Sequence, residues 1–384
     1  MNFKKKIKVL HIITDLPIGG AQDNTLHTIE ELDKTRYELT LICNSKGPLL
    51  ERAKKIPEIK LINLKYLERD IRPVKDALAF IILIKILICN QYHIVHTHSS
   101  KPGVLGRLAA WIIGIPVIIH TVHGFPFHDQ MNGSLKTILI AIERSMARIS
   151  NHLITVSNLN LIKIINLNIA PRHKLTNIYS GIDFKKFANH NNNSLRIELS
   201  IPDSTKIIGS IGRLSLQKDP LCFIRAIPIV REAFPDSHFI LVGSGELKEK
   251  ITQAIKKLRL EDCVSLLGSR DDIPNILHSI DLFVLSSIYE GLGRSLTEAI
   301  YCKLPVVATN VEGVPELVQN NNTGCLVEPV DEIGLAHGII NQLKNPAKAR
   351  LMAEKAFEFV KSNFDVHSMV TQIDQLYKEI ILKP

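Results

Sequence analysis

Aromatic side chains are scarce in this chain, 5% of 384 residues. Proteins that hold nucleic acid strands stack bases on aromatics set among basic residues, and no such interleaved stripe exists here, so nucleic acid is excluded as a partner. Cysteine is sparse as well. The six residues Cys43, Cys89, Cys222, Cys263, Cys302 and Cys325 form no C-x-x-C pair and no regular spacing. That argues against a disulfide framework or a structural zinc site and fits a reducing cytosol. Gly 20 and Pro 18 are too few and too scattered for a fibrous or disordered chain. Long apolar runs are missing: Ala77–Cys89 is interrupted by Lys85 and falls well short of the ~20 residues that cross a bilayer. The start, MNFKKKIKVLHII, has the charged-then-apolar order of a signal peptide. Its apolar part is short, Asp15 follows, and no small-residue cleavage site appears, so it reads as a first strand. No repeat of roughly 20–50 residues is visible, which excludes a solenoid. A soluble or peripheral protein is expected.

What the chain does have is apolar content and an uneven charge. Its length calls for two domains at ~100–200 residues each, and 45% hydrophobic residues suffice for two cores. Lys+Arg number 47 against 38 Asp+Glu, a net +9. Residues 1–180 hold 24 basic and 13 acidic side chains, a balance of +11, and the remainder holds 23 and 25, a balance of −2. The first half therefore carries all the excess, where an anionic partner or membrane surface would be drawn.

Strand-like apolar runs at Lys8–Ile13, Tyr37–Cys43, Ile59–Asn63, His93–His96, Pro116–Thr121 and His152–Val156 alternate with helical stretches, among them Val74–Cys89, Val104–Ile113, Leu135–Ile149 and Leu159–Leu167. After the turn-like Tyr179–Asp183 and a polar tract, Asn189–Asn193, a second series begins: Lys206–Ile211, His238–Val242, Val264–Leu267, Leu282–Leu285 and Val306–Ala308. Apolar strands alternating with helices predict parallel sheets covered on both faces. The expected fold is α/β: two doubly wound, Rossmann-like domains joined near residue 180, facing a cleft, with a last amphipathic helix at Val366–Ile381. Ligands of such sheets bind beyond the carboxyl ends of the strands.

Several loops fit that rule. Glu290-Gly-Leu-Gly-Arg-Ser-Leu-Thr-Glu298 follows a strand and opens a helix. Gly291 and Gly293 let the backbone approach a ligand, and the helix start offers unpaired N–H groups, so the segment suits a pyrophosphate. Glu298 would then sit near a ribose and Glu290 near a sugar; a solvated helix carrying two acids by chance fits the spacing too. Ile211-Gly-Arg213-Leu-Ser-Leu-Gln-Lys218-Asp-Pro220 places Arg213 and Lys218 after another strand, where a fork and a point charge suit a diphosphate leaving group. Two surface cations in a loop are the ordinary alternative. Gly243 in LVGSGE and Arg270 in LGSRDD mark two more strand-end turns, the second a candidate backbone contact for a base edge. In the first half, Gly19-Gly20 separates strand from helix, and admits a sugar or phosphate or makes a simple tight turn. Clustered histidines follow in HTHSSKPG and HTVHGFPFH. Without nearby Cys or acids this spacing is weak for zinc, so no metal is expected. Hydrogen-bonding or acid–base work is assigned to His123, and packing or exposure to His98, His120 and His128.

The order and spacing of Gly19-Gly20-Ala21-Gln22, HTHSSKPGVLGRLAA, HTVHGF, YSGID, GRLSLQKDP, LVGSGEL, EGLGRSLTEA and PVVATNVEGVPELV resemble the family-four retaining glycosyltransferases of the GT-B fold. The resemblance spans nearly the whole chain. It implies an acceptor-binding domain at 1–179, a donor-binding domain at 180–362, and a helix at 363–384 returning to the first. It implies a nucleotide-diphosphate sugar as donor; a UDP-sugar is preferred because Arg270 and its neighbours impose no guanine-specific contact. Arg213 and Lys218 would neutralise the diphosphate, Glu298 bind ribose, Glu290 hold the transferred sugar, and the amides of Leu292, Gly293 and Arg294 support phosphates and sugar. Gly19 and Gly20 would border the donor, and His123 would approach sugar and acceptor. No cofactor and no metal is implied. With the +11 on the acceptor side, a lipid-pyrophosphate or glycan acceptor and a peripheral place on the anionic inner membrane surface are expected, with Lys4–Lys6, Lys54-Lys55 and the Val74–Cys89 stretch as contacts. The alternatives are a nucleotide-sugar epimerase of the same fold, which would need no acceptor, and a non-catalytic nucleotide-sugar-binding regulator.

Overall fold

The computed structural model describes residues 6–127, 131–188 and 194–382; His128, Lys4, Lys5 and the Asn189–Asn193 tract lie outside them. The chain divides into two compact units. One takes the chain up to Gly181 together with the segment from Val366 onward, and the other is Ile182–Asp365.

The first unit holds β1 (Ile7–Ile12), β2 (Tyr37–Cys43), β3 (Ile59–Asn63), β4 (Ile94–His98), β5 (Val117–Val122), β6 (His152–Thr155) and β7 (Leu175–Asn177). They form one sheet in the order β3-β2-β1-β4-β5-β6-β7, parallel at every pairing. The second unit holds β8 (Lys206–Ile211), β9 (Ser237–Val242), β10 (Val264–Gly268), β11 (Leu282–Leu285), β12 (Val306–Thr309) and β13 (Cys325–Val327), ordered β10-β9-β8-β11-β12-β13 and also parallel throughout. The α/β doubly wound expectation is met in both units. Strands β7 and β13, three residues each, had no counterpart in the sequence reading; so short a run carries no period to detect.

The order of each sheet locates its binding edge. Strand order reverses between β1 and β4 in one unit and between β8 and β11 in the other. At such a reversal successive crossovers leave in opposite directions and open a crevice at the carboxyl ends. The segments that follow β1, β4, β8 and β11, loop or first helical turn, carry Gly19-Gly20, Ser99–Gly103, Arg213–Lys218 and Glu290–Gly293.

The last helix, Val366–Leu382, belongs to the first unit. Its Val366, Met369, Val370, Ile373, Leu376 and Tyr377 enter the core formed by Val9, Leu26, Ile29, Leu39 and their neighbours. Each such side chain contributes ~1.5–3 kcal/mol of burial, so the unit is incomplete without this distant segment. The helix Pro73–Asn90 is two-sided. Ala79, Leu83 and Leu87 point into the core, while Val74 (76%), Leu78 (39%), Ile81 (62%) and Ile88 (58%) stand exposed. Among the described residues no helix is long and apolar enough to cross a membrane.

Candidate active site

In the second unit, the loops after β8 and β11 are fastened to each other. The Ile288 N–H donates to the Gln217 carbonyl at 2.8 Å, and the Gln217 side chain returns a bond to the Tyr289 carbonyl at 3.1 Å. The Ser286 hydroxyl bonds the carbonyls of Lys218 at 3.0 Å and Asp219 at 2.9 Å. This frame holds the Lys218 ammonium against Glu290 Oε1, the same oxygen that accepts from the Ser287 hydroxyl at 2.7 Å. Glu290 is 5% exposed, so its carboxylate charge is offset by the lysine. Its backbone N–H donates to Glu312 Oε2 at 3.1 Å. Glu312 was missed as a site residue, although its segment, NVEGVPE, was part of the resemblance. Arg213 and Lys218 together line a shallow depression with Ser210, Gly212 and Ser286. Both cations thus reach one surface at the switch point.

Beside this pair, Gly293 precedes the helix Arg294–Tyr301 with φ +99°, a left-handed conformation that glycine takes without penalty. The helix start therefore brings its first-turn N–H groups, and the partial positive charge of the helix dipole, to the edge of the Lys218–Glu290 frame. Arg294 donates to Glu298 Oε1 at 2.9 Å across one turn, so the acid is oriented by a neighbouring guanidinium. Gly243 has φ +136°, and a Cβ there would lie 1.9 Å from the Gly212 carbonyl oxygen. Only glycine lets the turn after β9 press against the turn that bears Arg213. Arg270 behaves differently from the other basic site residues. Its guanidinium is spent on Glu198 (2.6 and 2.9 Å) and Asp272 (2.7 and 2.8 Å), and these bonds raise its pKa. What it has to offer a ligand is its backbone.

In the first unit, Gly19 sits at φ 175° as the residue before the helix Gly20–Glu31. That is extended backbone open to any residue, so what the glycine pair leaves is room at the helix start. His123, just past β5, lies in a shallow pocket with Ser99, Ser100, Thr121 and Gly124. Its Nε2 meets His98 Nδ1 at 3.1 Å. His98 Nε2 meets His11 Nδ1 at 3.1 Å, and His11 Nε2 lies 3.4 Å from the Tyr377 hydroxyl. That hydroxyl is 2.6 Å from His96 Nδ1, and His96 Nε2 is 2.7 Å from the Thr121 hydroxyl. Burial pushes the pKa of His11 and of His123 down to about 3 and that of His96, His98 and His120 well below 6.5, with the Arg107 guanidinium adding to the effect at His120. These rings are neutral at physiological pH. His11, His96 and His98 also bring ring nitrogens within 4.8 Å of one another, a spacing metal ligands use. Those of His98 and His96 and both of His11 are already engaged in the bonds just given. His11 and Tyr377 were absent from the sequence reading: one lay in an apolar strand and the other in an amphipathic helix, and nothing in their local sequence marks them.

A family model described as Glycosyltransferase Family 4 matches residues 18–186, and one described as Glycosyl transferases group 1 matches residues 191–359. The chain is 33% identical over 383 residues, 98% of each chain, to the UDP-Gal:alpha-D-GlcNAc-diphosphoundecaprenol alpha-1,3-galactosyltransferase of Escherichia coli. It is 24% identical, over 98% of each chain, to the capsular polysaccharide biosynthesis glycosyltransferase CapM of Staphylococcus aureus. Among solved structures, Anabaena Alr3699/HepE in complex with UDP and glucose superposes with a TM-score of 0.82 at 22% identity, covering 97% of this chain and 100% of that one. WaaG, a glycosyltransferase involved in lipopolysaccharide biosynthesis, does so with a TM-score of 0.78 at 15% identity, covering 98% and 100%.

Proposed function

The chain belongs to the family-four glycosyltransferases, of the GT-B fold, and from that membership we propose the following reaction. It moves a hexose or N-acetylhexosamine from a UDP-sugar to a hydroxyl of a lipid-linked or polysaccharide-precursor acceptor, with retention of configuration, in building a surface polysaccharide. The Ile182–Asp365 unit holds the donor and the unit containing Gly181 the acceptor. The observation that carries the donor half is the Lys218–Glu290 pair beside Arg213, at the switch point of the second sheet. Support for a uridine donor and a polyprenyl-diphosphate acceptor comes from the name of the E. coli relative.

Charge dictates the mechanism. As the bond from the anomeric carbon to the β-phosphate oxygen breaks, negative charge gathers on the departing diphosphate. Arg213, Lys218 and the amides of Leu292, Gly293 and Arg294 are fixed in place to receive it, and preorganised donors of this kind are the largest single contribution in many enzymes. Glu290 holds hydroxyls of the transferred sugar, Glu298 the ribose, and Gly243 with the Arg270 backbone borders the nucleoside. Gly19 and Gly20 leave space for the donor, and His123 hydrogen-bonds the sugar. The acceptor oxygen attacks on the face the phosphate leaves, and its proton passes to the departing phosphate oxygen. With side-chain cations supplying the electrostatics, no divalent metal takes part.

The membrane part of the reading rests on surface chemistry. The exposed Val74, Leu78, Ile81 and Ile88 share a helix face with Lys85, and Trp111 and Ile112 are exposed at the end of the next helix. Apolar residues with interspersed lysine, on the unit that carries +11, suit an anionic lipid surface. The test of the chemistry is a thermal-shift screen of uridine- and guanosine-diphosphate sugars, followed by transfer assays with the stabilising donor, a polyprenyl-diphosphate sugar acceptor and a chelator. A ligand at ~100 times its Kd adds ~2.7 kcal/mol of stability, so a uridine-specific rise in Tm and chelator-resistant transfer with retained configuration are expected. Stabilisation by guanosine donors alone, inversion, or loss of transfer with chelator each removes the corresponding part.

A further inference from the structure

The hydrogen-bonded chain in the first unit has two arrangements of its protons that strand no donor within it. Each neutral imidazole has one donor and one acceptor nitrogen. If His98 Nδ1 donates to His123 Nε2, then His98 Nε2 must accept from His11 Nδ1, His11 Nε2 from the Tyr377 hydroxyl, Tyr377 from His96 Nδ1, and His96 Nε2 from the Thr121 hydroxyl. In that arrangement all four rings carry the proton on Nδ1. Reversing the whole chain puts the proton on Nε2 of every ring; a mixed arrangement would need the Tyr377 oxygen to accept from both His11 and His96, which strands its own buried proton. The two ends distinguish these arrangements. Among the described residues each arrangement leaves one donor over: His123 Nδ1–H in the first, on a half-buried ring that lines the pocket, and the Thr121 hydroxyl in the reversed chain, on a residue only 2% exposed. The more deeply buried donor without an acceptor is the costlier defect.

We propose that His11, His96, His98 and Tyr377 are positioning residues that lock His123 as its Nδ1–H tautomer. With Nε2 occupied by His98, the nitrogen left to a ligand is Nδ1, and the chain makes it an obligate hydrogen-bond donor. His123 then donates to an oxygen of the bound sugar or acceptor and does not serve as a base. The lock runs from His11 on β1 through β4 and β5 to the terminal helix, whose Tyr377 is the one link that joins the His11 arm to the His96 arm. This explains why a helix 254 residues downstream of His123 buries a tyrosine hydroxyl where a phenylalanine would pack equally well. The ligand half of this inference rests on the glycosyltransferase reading of His123; the tautomer half does not.

The experiment is nitrogen-15 NMR of the histidine-labelled full chain near neutral pH, without substrate, compared with Tyr377→Phe. In the parent protein His11, His96, His98 and His123 should each show a protonated Nδ1 and a bare Nε2. Tyr377→Phe keeps the ring but cuts the chain, so the His123 resonances should move toward a tautomer mixture and kcat should fall about tenfold at similar KM for the donor, the loss expected for one misdirected hydrogen bond. Mixed tautomers in the parent, a doubly protonated ring, stoichiometric zinc bound by these histidines, or a Tyr377→Phe protein with unchanged His123 resonances would each overturn the proposal. A uniform set of Nδ1–H rings in a protein that transfers no sugar would leave the lock standing and sink the transferase reading alone.

Discussion

The Lys218–Glu290 contact shows how one side chain serves structure and chemistry at once. Without a ligand the ammonium satisfies a buried carboxylate; with a diphosphate nearby it is the charge that the leaving group meets. Lys218→Ala should lower turnover ~10²–10³-fold, the range seen for losing one preorganised electrostatic contact, measured as kcat in the transfer assay. It should also cost stability, because Glu290 is then left without its ion-pair partner, and breaking a buried pair costs ~3–5 kcal/mol, a figure that is an upper bound here because the lysine side chain is 22% exposed. Near-normal turnover in the variant would take Lys218 out of the leaving-group role. Arg270 teaches the opposite lesson. A basic residue at a strand end looks like a phosphate ligand, yet its four short bonds to Glu198 and Asp272 make it a brace for the loop after β10.

Helices in this protein are read best by their two faces. On Pro73–Asn90 the core face repeats at Ala79, Leu83 and Leu87, the spacing of one helical stripe. The opposite face is apolar too, which a helix covered only by water does not need. Replacing Ile81, 62% exposed, by glutamate should leave the fold intact, since the side chain touches no core. Binding to vesicles rich in anionic lipid should weaken by about tenfold or more, from the loss of roughly 1.5–3 kcal/mol of apolar burial together with charge repulsion at the surface. Co-sedimentation at low ionic strength measures it. Unchanged binding by Ile81→Glu, or no binding by the parent protein, would end the membrane reading.

For the whole molecule, the buried histidines set how stability follows pH. The folded-state pKa of His11 and of His123 is about 3, against 6.5 when unfolded. Above 6.5 both states are neutral and the groups contribute nothing. Below it the unfolded chain binds protons that the folded protein cannot, so stability falls as pH drops from 6.5 toward 3. Each such histidine contributes ~1.4 kcal/mol per pH unit well inside that window, and His96, His98 and His120 act in the same direction. Urea midpoints taken at roughly pH 7.5 and pH 5.5 isolate this effect, because ordinary carboxylates titrate lower. A marked drop at the acid end is expected; equal midpoints would mean that the rings protonate in place.

Strands, crossover helices and the glycine and charged residues at strand ends were legible in the sequence because each depends on neighbours within a few positions: an apolar run, a helical stripe, a turn that admits only glycine. The same local order carried the resemblance to the glycosyltransferases. Sheet order was not legible, and it is sheet order that brings the loops after β8 and β11 together at one edge and sets Lys218 against Glu290, 72 residues away. Nor was the histidine chain. His11 and His98 are 87 positions apart, and His11 and Tyr377 are 366 apart. A hydrogen bond depends on a distance of about 3 Å in space, and separation along the chain says nothing of it until the terminal helix has packed into the first unit's core.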